Sequence, residues 1–226
     1  MSKAEIFPTA VPKDENDLKE CARFVSTFSK NLHIDADDGI FTPITCWPYT
    51  AGGILEEFDL SSVQALETEV HLMVQDPREI GRKFARAGAR AVFGHVETFT
   101  DAEDARQTLE SWRREGAREV GMAILLDTPV EALGPFVSLC DFVCFMSSAQ
   151  IGSQGAQFDF RVLERIRTTH DLYPDLQIEV DIGVSEKTID SLVQAGVTRF
   201  AVGSAITRAD DPATVYNRLL ELANTV

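Results

Sequence analysis

The sequence predicts a (β/α)8 TIM barrel of the α/β class. Short apolar, β-branched runs alternate with amphipathic stretches along the whole chain, and eight such pairs can be counted. Parallel strands linked by crossover helices give this alternation, and eight units close a barrel. The length of 226 residues is typical of one such barrel, so we expect a single domain over residues 1–226.

The predicted strands are rich in Val, Ile and Phe and are evenly spaced. They are EIFPTAV from Glu5, NLHIDAD from Asn31, EVHLMV from Glu69, AVFGHVE from Ala91, EVGMAILL from Glu119, DFVCFMSS from Asp141, QIEVDIG from Gln177 and RFAVGSAI from Arg199. We expect a helix after each. The longest irregular stretch, residues 42–60, follows the second strand and is expected to form part of a lid over the active end.

Helix boundaries are marked by capping residues. Glycines close three helices just before a strand, at Gly88, Gly116 and Gly196. Good first-turn or N-cap residues mark helix starts at Pro77, Asp101, Pro129, Ser185 and Asp211-Pro212. An open doubly wound sheet gives a similar alternation, but no Gly-x-Gly-x-x-Gly follows the first strand, which favours the barrel.

The charge balance excludes two classes of partner. The formal net charge is −15, whereas nucleic acids and anionic membranes bind basic surfaces. A small phosphorylated substrate stays compatible, because backbone N–H groups and a metal can hold a phosphate locally. We therefore expect a small-molecule ligand.

The chain carries the features of a cytoplasmic protein with reduced thiols. Its N-terminus lacks the pattern of a signal peptide, and no run reaches the roughly 18 apolar residues of a membrane span. The four cysteines show no Cys-x-x-Cys spacing. The sequence leaves the oligomeric state open, including a homo-oligomer.

Ionisable residues collect on the predicted strands, at whose C-terminal ends barrel enzymes carry their chemistry. Three of the four histidines lie there, and we interpret His170, in a helix, as a surface residue. The strand histidines and carboxylates are His33, Asp35, His71, His95, Glu97 and Asp181. Burying these ionisable groups together without pairing or a metal would cost free energy. A functional site is therefore favoured over separate core residues.

Four of these residues form a candidate metal site. His33 and Asp35 are two apart on one strand, so their side chains point to the same face. With His71 and Asp181 they would offer two imidazoles and two carboxylates, a mixed set suited to Zn, Fe(II), Mn or Co. His95 and Glu97 would orient these ligands or form a structural pair.

The last two strands carry a candidate phosphate site. Gly183 ends the seventh strand, and Gly203-Ser204 lies in the eighth. The loops after these strands commonly bind phosphate in barrels, and glycine allows close approach of backbone N–H groups to an anion.

Several motifs, taken in order, resemble the ribulose-phosphate 3-epimerase family over nearly the whole chain. Residues 33–43, HIDADDGIFTP, resemble its His-x-Asp-x-Met-Asp-Gly-x-Phe-x-Pro. Further similar segments are HLMV at 71–74, FGHVE at 93–97, DTP at 127–129, Met146, the loop 151–158, VDIG at 180–183 and GSAI at 203–206.

The resemblance implies a ribulose-phosphate-binding barrel that epimerises C3 of a ketose phosphate. It implies a divalent metal held by His33, Asp35, His71 and Asp181, with Asp35 and Asp181 as acid and base around an enediolate. Met73 and Met146 would cap the intermediate, and Thr9, Gly152 and Gly155 would contact substrate or phosphate. D-ribulose 5-phosphate, converted to D-xylulose 5-phosphate, is the default substrate, and allulose 6-phosphate fits the same residues.

Five departures indicate a divergent member of that family, one of which is Thr9 where serine is usual, so a hydroxyl is kept. Asp37 replaces a methionine, and Ile182 replaces the first glycine of Val-Asp-Gly-Gly. Leu125-Leu126 stands where Asn-Pro is usual, and the Cys46-Trp47-Pro48 loop differs. We therefore expect the chemistry to be kept and substrate shape or metal choice to change.

Two alternative functions stay open. A related barrel lyase or decarboxylase would need Asp-x-Lys-x-x-Asp or a Schiff-base lysine, but Asp37 stands two after Asp35 and no lysine falls at a strand end. A non-catalytic sugar-phosphate-binding barrel is the other, because fold does not fix function.

Overall fold

A computed structural model describes residues 3–50, 53–152 and 155–225. Its strands form one closed parallel barrel in chain order, which confirms the predicted fold class. The strands are β1 (Glu5–Ala10), β2 (Asn31–Asp37), β3 (Glu67–Met73), β4 (Ala91–His95), β5 (Glu119–Ile124), β6 (Phe142–Met146), β7 (Gln177–Asp181) and β8 (Arg199–Val202).

The helices lie outside the barrel and pack their apolar sides onto it. They are α1 (Glu15–Val25), α2 (Pro77–Ala87), α3 (Ala102–Glu115), α4 (Arg161–Leu172), α5 (Ile189–Ala195), α6 (Ser204–Thr207) and α7 (Pro212–Ala223). The core between strands and helices holds large buried side chains such as Trp112, Phe84 and Phe200. No helix in the described part of the chain is long and apolar enough to cross a bilayer.

The expectation of a helix after every strand is wrong at β2 and β5. The described residues after these strands form only 3-10 helices, Ser61–Val63 and Val130–Leu133. After β2, Pro43 and Pro48 disfavour an α-helix, since proline lacks the backbone N–H that donates a hydrogen bond within a helix. After β5, extended Pro129 precedes the short helix, so it marks a 3-10 start and not an α-helix.

The predicted helix ends are confirmed, and one of the starts is wrong. Gly88, Gly116 and Gly196 end α2, α3 and α5 with φ values of +105°, +124° and +107°, which an L side chain rarely adopts. The Asp101 and Asp211 side chains cap α3 and α7. Ser185 begins no helix, because Thr188 Oγ1 donates to the Gly183 carbonyl (2.8 Å) and holds a turn there, and α5 starts only at Ile189.

Two further expectations change. His170 is only partly exposed, with its ring packed next to Gly196. Where the structure describes the segment 42–60, it forms no lid: none of these residues lines the cavity at the barrel mouth, and Trp47 packs against Phe58 and Phe84 on the outer core, with ring centroids 5.0 and 5.8 Å away. Large apolar side chains therefore hold the described residues beside the mouth.

The strand register sets which residues meet. β2 and β3 pair residue by residue from Asn31–Glu67 to Asp37–Met73, which places Asp35 beside His71. β6 and β7 place Met146 beside Asp181. Because parallel strands end at the same side of a barrel, these residues meet at its mouth.

Candidate active and metal site

The predicted site residues gather around one cavity at the carboxyl ends of the strands. Asp35 reaches it from β2, and Asp181, the last residue of β7, reaches it from the other side of β1 and β8. The predicted residues that line it are Thr9, Asp35, Met73, Gly152, Gly155, Asp181, Gly183, Gly203 and Ser204. The cavity thus brings together both predicted carboxylates and the predicted phosphate-binding glycines.

His33, Asp35, His71 and Asp181, here called the mouth cluster, are all buried, and one donor atom of each lies within 4.8 Å of the others. His33 Nε2 is 3.0 Å from Asp35 Oδ1. His71 Nδ1 is 3.5 Å from Asp35 Oδ1 and 3.6 Å from Asp181 Oδ2. Sequence reasoning chose these four, and the structure brings them together.

The mouth cluster fits a divalent metal. His71 Nδ1 is buried and has no hydrogen-bond partner among the described residues, although two carboxylates face it. Donors bound at about 2.0–2.1 Å in a tetrahedral site stand about 3.3 Å apart, close to the separations seen here. A nitrogen aimed between two carboxylates without bonding to either is the geometry of metal ligands that share an ion.

Each histidine of the mouth cluster is held by a partner on its far side. His33 Nδ1 is 2.8 Å from Glu69 Oε1, and His71 Nε2 is 2.9 Å from His95 Nε2. His95 Nδ1 lies 3.3 Å from Glu97 Oε2, and Glu97 accepts a hydrogen bond from the Leu125 backbone N–H (3.0 Å). His95 and Glu97 therefore lie behind His71, away from the cavity.

Mutual contacts shift the pKa values of the mouth cluster. Burial raises the pKa of Asp35, but the nearby His33 and His71 imidazoles outweigh burial and lower it to about 2. Burial lowers the pKa of His71, but Asp181 and Asp35 outweigh burial and raise it to about 9. Without a metal the cluster therefore holds protons where a cation would bind.

Backbone geometry shapes the end of the cavity next to β7 and β8. Gly183 has a φ of +68°, and a Cβ there would lie 2.7 Å from Phe158 Cβ, so only glycine fits. Gly203 precedes the short helix α6, whose first residue is Ser204. Gly183 and Gly203 therefore present backbone, and not side chains, to this end of the cavity.

The two methionines lie at different depths. Met73 lines the cavity, whereas Met146 lies in the inner core with Phe93 and Phe142. Met146 still neighbours Asp181 through the β6–β7 register. Only Met73 is therefore placed to contact a ligand in the cavity.

Comparison with known proteins identifies the relatives of this barrel. Residues 5–207 match the ribulose-phosphate 3 epimerase family. The chain belongs to the ribulose-phosphate 3-epimerase family. It is 31% identical to the ribulose-phosphate 3-epimerase of Schizosaccharomyces pombe, covering 97% of this chain and 93% of that one. It is 30% identical to the cytoplasmic isoform of rice (Oryza sativa subsp. japonica), covering 96% and 92%.

Family membership confirms both the resemblance and the predicted enzyme class, an isomerase of the ribulose-phosphate 3-epimerase type. Solved structures share the fold at low identity. The 3-keto-L-gulonate-6-phosphate decarboxylase of Vibrio cholerae has a TM-score of 0.73 at 14% identity, covering 99% of this chain and 98% of that one. The 3-hexulose-6-phosphate synthase of Salmonella typhimurium has a TM-score of 0.68 at 16% identity, covering 97% and 98%.

Asp37 departs from the epimerase motif and lies fully buried behind the mouth. Thr42 Oγ1 donates to Asp37 Oδ1 (2.7 Å), and Cys46 Sγ donates to Oδ2 (3.3 Å). Burial and the charge of Asp35 raise the pKa of Asp37 to about 7. Its carboxyl group is therefore occupied by the loop after β2 and does not line the cavity.

Ile182 stands where the family motif has glycine, and its backbone has a conformation that glycine favours. Its φ is +75°, and it is the one described non-glycine residue with a positive φ. Its N–H donates to Asp181 Oδ1 (2.7 Å), so the unusual conformation directs a donor at a mouth-cluster carboxylate. An isoleucine side chain is therefore present at a position whose backbone conformation favours glycine.

Sequence reasoning missed three buried charged residues below the mouth, Glu69, Glu179 and Arg199. The signal was present: Glu69 is two residues before His71, and Glu179 is two before Asp181, so strand alternation turns them inward as well. Arg199 is the only charged residue of β8.

Proposed function

We propose that this member of the epimerase family catalyses metal-dependent epimerisation at C3 of a ketose phosphate, with D-ribulose 5-phosphate and D-xylulose 5-phosphate as the pair. The observation that carries the proposal is the placement of Asp35 and Asp181. Their carboxylates enter one cavity from two non-adjacent strands and share the mouth cluster.

Inversion at a carbinol carbon beside a ketone needs two proton-transfer groups. One carboxylate removes the proton from one face of C3, and the other returns a proton to the opposite face. In the proposed reaction Asp35 and Asp181 take these two roles and exchange them in the reverse direction. Their burial excludes bulk water from the reacting carbon.

The mouth cluster would hold the metal through His33, Asp35, His71 and Asp181. Two nitrogens and two oxygens suit Zn, Fe(II), Mn or Co. A bound divalent ion would supply a Lewis acid that stabilises negative charge on the substrate oxygens of the enediolate. His95 and Glu97 would keep His71 oriented from behind.

The remaining predicted residues would bind the rest of the substrate. Backbone N–H groups around Gly183, Gly203 and Ser204 would hold the phosphate, with Gly152 and Gly155 on the facing loop. Thr9 would offer its hydroxyl, and Met73 would present apolar surface to the intermediate. Met146, which does not line the cavity, would support Asp181 from the neighbouring strand. We further propose a single domain over residues 1–226 that acts in the cytoplasm, as the name of the rice relative states for that protein.

The lyase alternative is weakened by the residues at the strand ends. The solved decarboxylase and synthase relatives share only the fold with this chain. Asp37 stands two residues after Asp35, and its side chain bonds to Thr42 and Cys46, so it cannot take the place of a catalytic lysine. No lysine lines the described part of the cavity.

A substrate panel tests the proposal. The zinc-, manganese-, cobalt- or iron(II)-loaded protein is incubated with ribulose 5-phosphate, allulose 6-phosphate, ribulose and 3-keto-L-gulonate 6-phosphate, and products are identified by NMR. We expect the C3 epimer of a phosphorylated ketose and little turnover of ribulose. Carbon dioxide release, or binding of the phosphates without any turnover, would contradict the proposal and favour the lyase or the non-catalytic barrel.

A further inference from the structure

Below the mouth cluster lies a second group of ionisable side chains, here called the floor cluster. Its members come from five strands and from the residue before β4. They are Glu5, Glu69, Arg90, Glu119, Glu179 and Arg199. The proposed reaction uses none of them.

Arg199 is the centre of the floor cluster and is almost fully buried. Its Nη2 donates to Glu69 Oε2 (2.5 Å), its Nε donates to Glu179 Oε2 (3.0 Å), and its Nη1 donates to Glu119 Oε2 (2.7 Å). The guanidinium carbon also lies 4.0 Å from the Phe142 ring centroid and 5.0 Å from that of Phe7. A guanidinium fixed on three sides and stacked on two rings has little freedom to move.

Glu69 connects the floor cluster to the mouth cluster. One carboxylate oxygen accepts from Arg199, and the other lies 2.8 Å from His33 Nδ1. Because a carboxylate only accepts hydrogen bonds, Nδ1 must carry the proton that is donated to Glu69. The Nε2 lone pair of a neutral His33 then points to Asp35 and the mouth.

From this chain of contacts we propose that Glu69, held by Arg199, is a positioning residue that fixes the ring orientation and tautomer of His33 for metal binding. The inference rests on the proposed metal-dependent function. Glu69 acts through His33 and does not line the cavity. Arg199 acts one step further away, by fixing which oxygen of Glu69 faces His33.

Positive charge is already present in the floor cluster. His33, Glu69 and Glu179 together have donor atoms close enough to hold a metal ion. Arg199, however, donates to both glutamates, so its guanidinium already supplies them with a positively charged partner. Through Nδ1, His33 therefore contacts Glu69, which is bonded to the Arg199 guanidinium. Through Nε2, it faces the candidate metal site.

Glu69→Gln tests the inference sharply. Arg199 only donates hydrogen bonds, so the amide oxygen must stay on the Arg199 side, and the amide NH₂ then faces His33 Nδ1. His33 must accept there, which moves its proton to Nε2 and directs it at the metal site. Zinc affinity of the metal-stripped protein, titrated with Zn²⁺ against a chelator, should weaken about 10- to 100-fold.

Glu119→Gln is the matched control, since it removes another carboxylate from Arg199 that does not touch His33. We expect the zinc affinity of this variant to equal that of the wild type. The visible spectrum of the cobalt-loaded Glu69→Gln protein should also change, while that of Glu119→Gln should not. A folded Glu69→Gln protein with wild-type zinc affinity and cobalt spectrum would overturn the inference, as would equal losses in both variants.

Circular dichroism shows whether the Glu69→Gln protein folds. If it does not fold, a measurement on the wild type tests the inference. In a long-range ¹H–¹⁵N NMR spectrum of the zinc-loaded wild type, we expect His33 to be protonated at Nδ1. A proton on Nε2 would overturn the inference. A wild-type protein that binds none of zinc, iron(II), manganese and cobalt would instead overturn the proposed metal-dependent function, so the two failures are distinguishable.

Discussion

The mouth and floor clusters are both buried groups of ionisable side chains inside one barrel, yet they differ in where their positive charge comes from. In the floor cluster, Arg199 and Arg90 bond directly to the glutamates. In the mouth cluster, two carboxylates face two imidazoles, and no arginine or lysine lines the described part of the cavity. A buried polar cluster is therefore structural where the chain supplies its own cation, and a candidate site where it does not.

The largest effect is expected from removing a proton-transfer group of the mouth. Asp181→Asn keeps the size of the side chain but cannot take up or release the C3 proton. We expect kcat for epimerisation to fall about 10³-fold, within the range for general acid–base groups. A coupled assay for xylulose 5-phosphate measures it, and wild-type kcat in the variant would remove Asp181 from the proposed mechanism.

Removing Arg199, the central cation of the floor cluster, should reduce the stability of the protein. Arg199→Met leaves Glu69 and Glu179 buried without their partner, which we expect to lower the free energy of unfolding by about 3 kcal/mol or more. Urea denaturation of the metal-free protein measures the change. Arg218→Met is the control, because Arg218 pairs with Glu221 on the surface (2.7 Å) and should contribute less than about 1 kcal/mol. Equal losses in both variants would contradict the assigned role of the floor.

Metal binding should stabilise the mouth, and more so at higher pH. At a free metal concentration of about 100 times Kd, the ion should add about 2.7 kcal/mol to the free energy of unfolding. The metal must displace the proton of His71, whose pKa its partners Asp181 and Asp35 raise to about 9 against the effect of burial. Affinity should therefore rise as pH increases toward 9.

The metal-free protein should show the opposite dependence on pH. A raised histidine pKa contributes stability that is complete below the unfolded value of about 6.5 and is lost as pH rises through the folded value. Thermal melting with and without chelator between these two pH values measures both trends. A metal-induced rise in Tm that shrinks with pH would contradict the assignment of His71 as a ligand.

The smallest effect concerns the backbone at the rim of the mouth. Because Ile182 has a φ of +75°, glycine should be more stable than alanine at this position by about 1 kcal/mol. Ala105→Gly in the interior of α3 is the control, where glycine should be the less stable residue by a similar amount of about 1 kcal/mol. Chemical denaturation compares the variants, and an Ile182→Ala protein more stable than Ile182→Gly would show that the turn is unstrained.

Sequence patterns predicted the mouth better than the floor, for a physical reason. His33, Asp35, His71 and Asp181 lie on barrel strands, where side-chain alternation and the barrel geometry bring them together. Arg199 bonds to Glu69 across 130 residues of chain, and no local pattern pairs residues on β3 and β8. The inward direction of Glu69 was predictable from its spacing to His71, but its partner was not.

The same limit applies to the loops. The glycines that end α2, α3 and α5 were predicted because their chemistry is local. Whether the segment after β2 covers the mouth depends on long-range packing of Trp47 against Phe84, which periodicity does not show. Ser185 resembles a helix cap in sequence, yet its contact with Thr188 places it in a turn.

The most direct test of the account is proton exchange at C3. The metal-loaded protein is incubated with ribulose 5-phosphate in deuterated water, and ¹H NMR follows C3 deuterium in both ribulose 5-phosphate and xylulose 5-phosphate. Two carboxylates on opposite faces of an enediolate predict that xylulose 5-phosphate forms with deuterium at C3, and that Asp181→Asn loses its formation. Xylulose 5-phosphate that keeps its C3 protium, or no exchange with any ketose phosphate in the presence of metal, would contradict it.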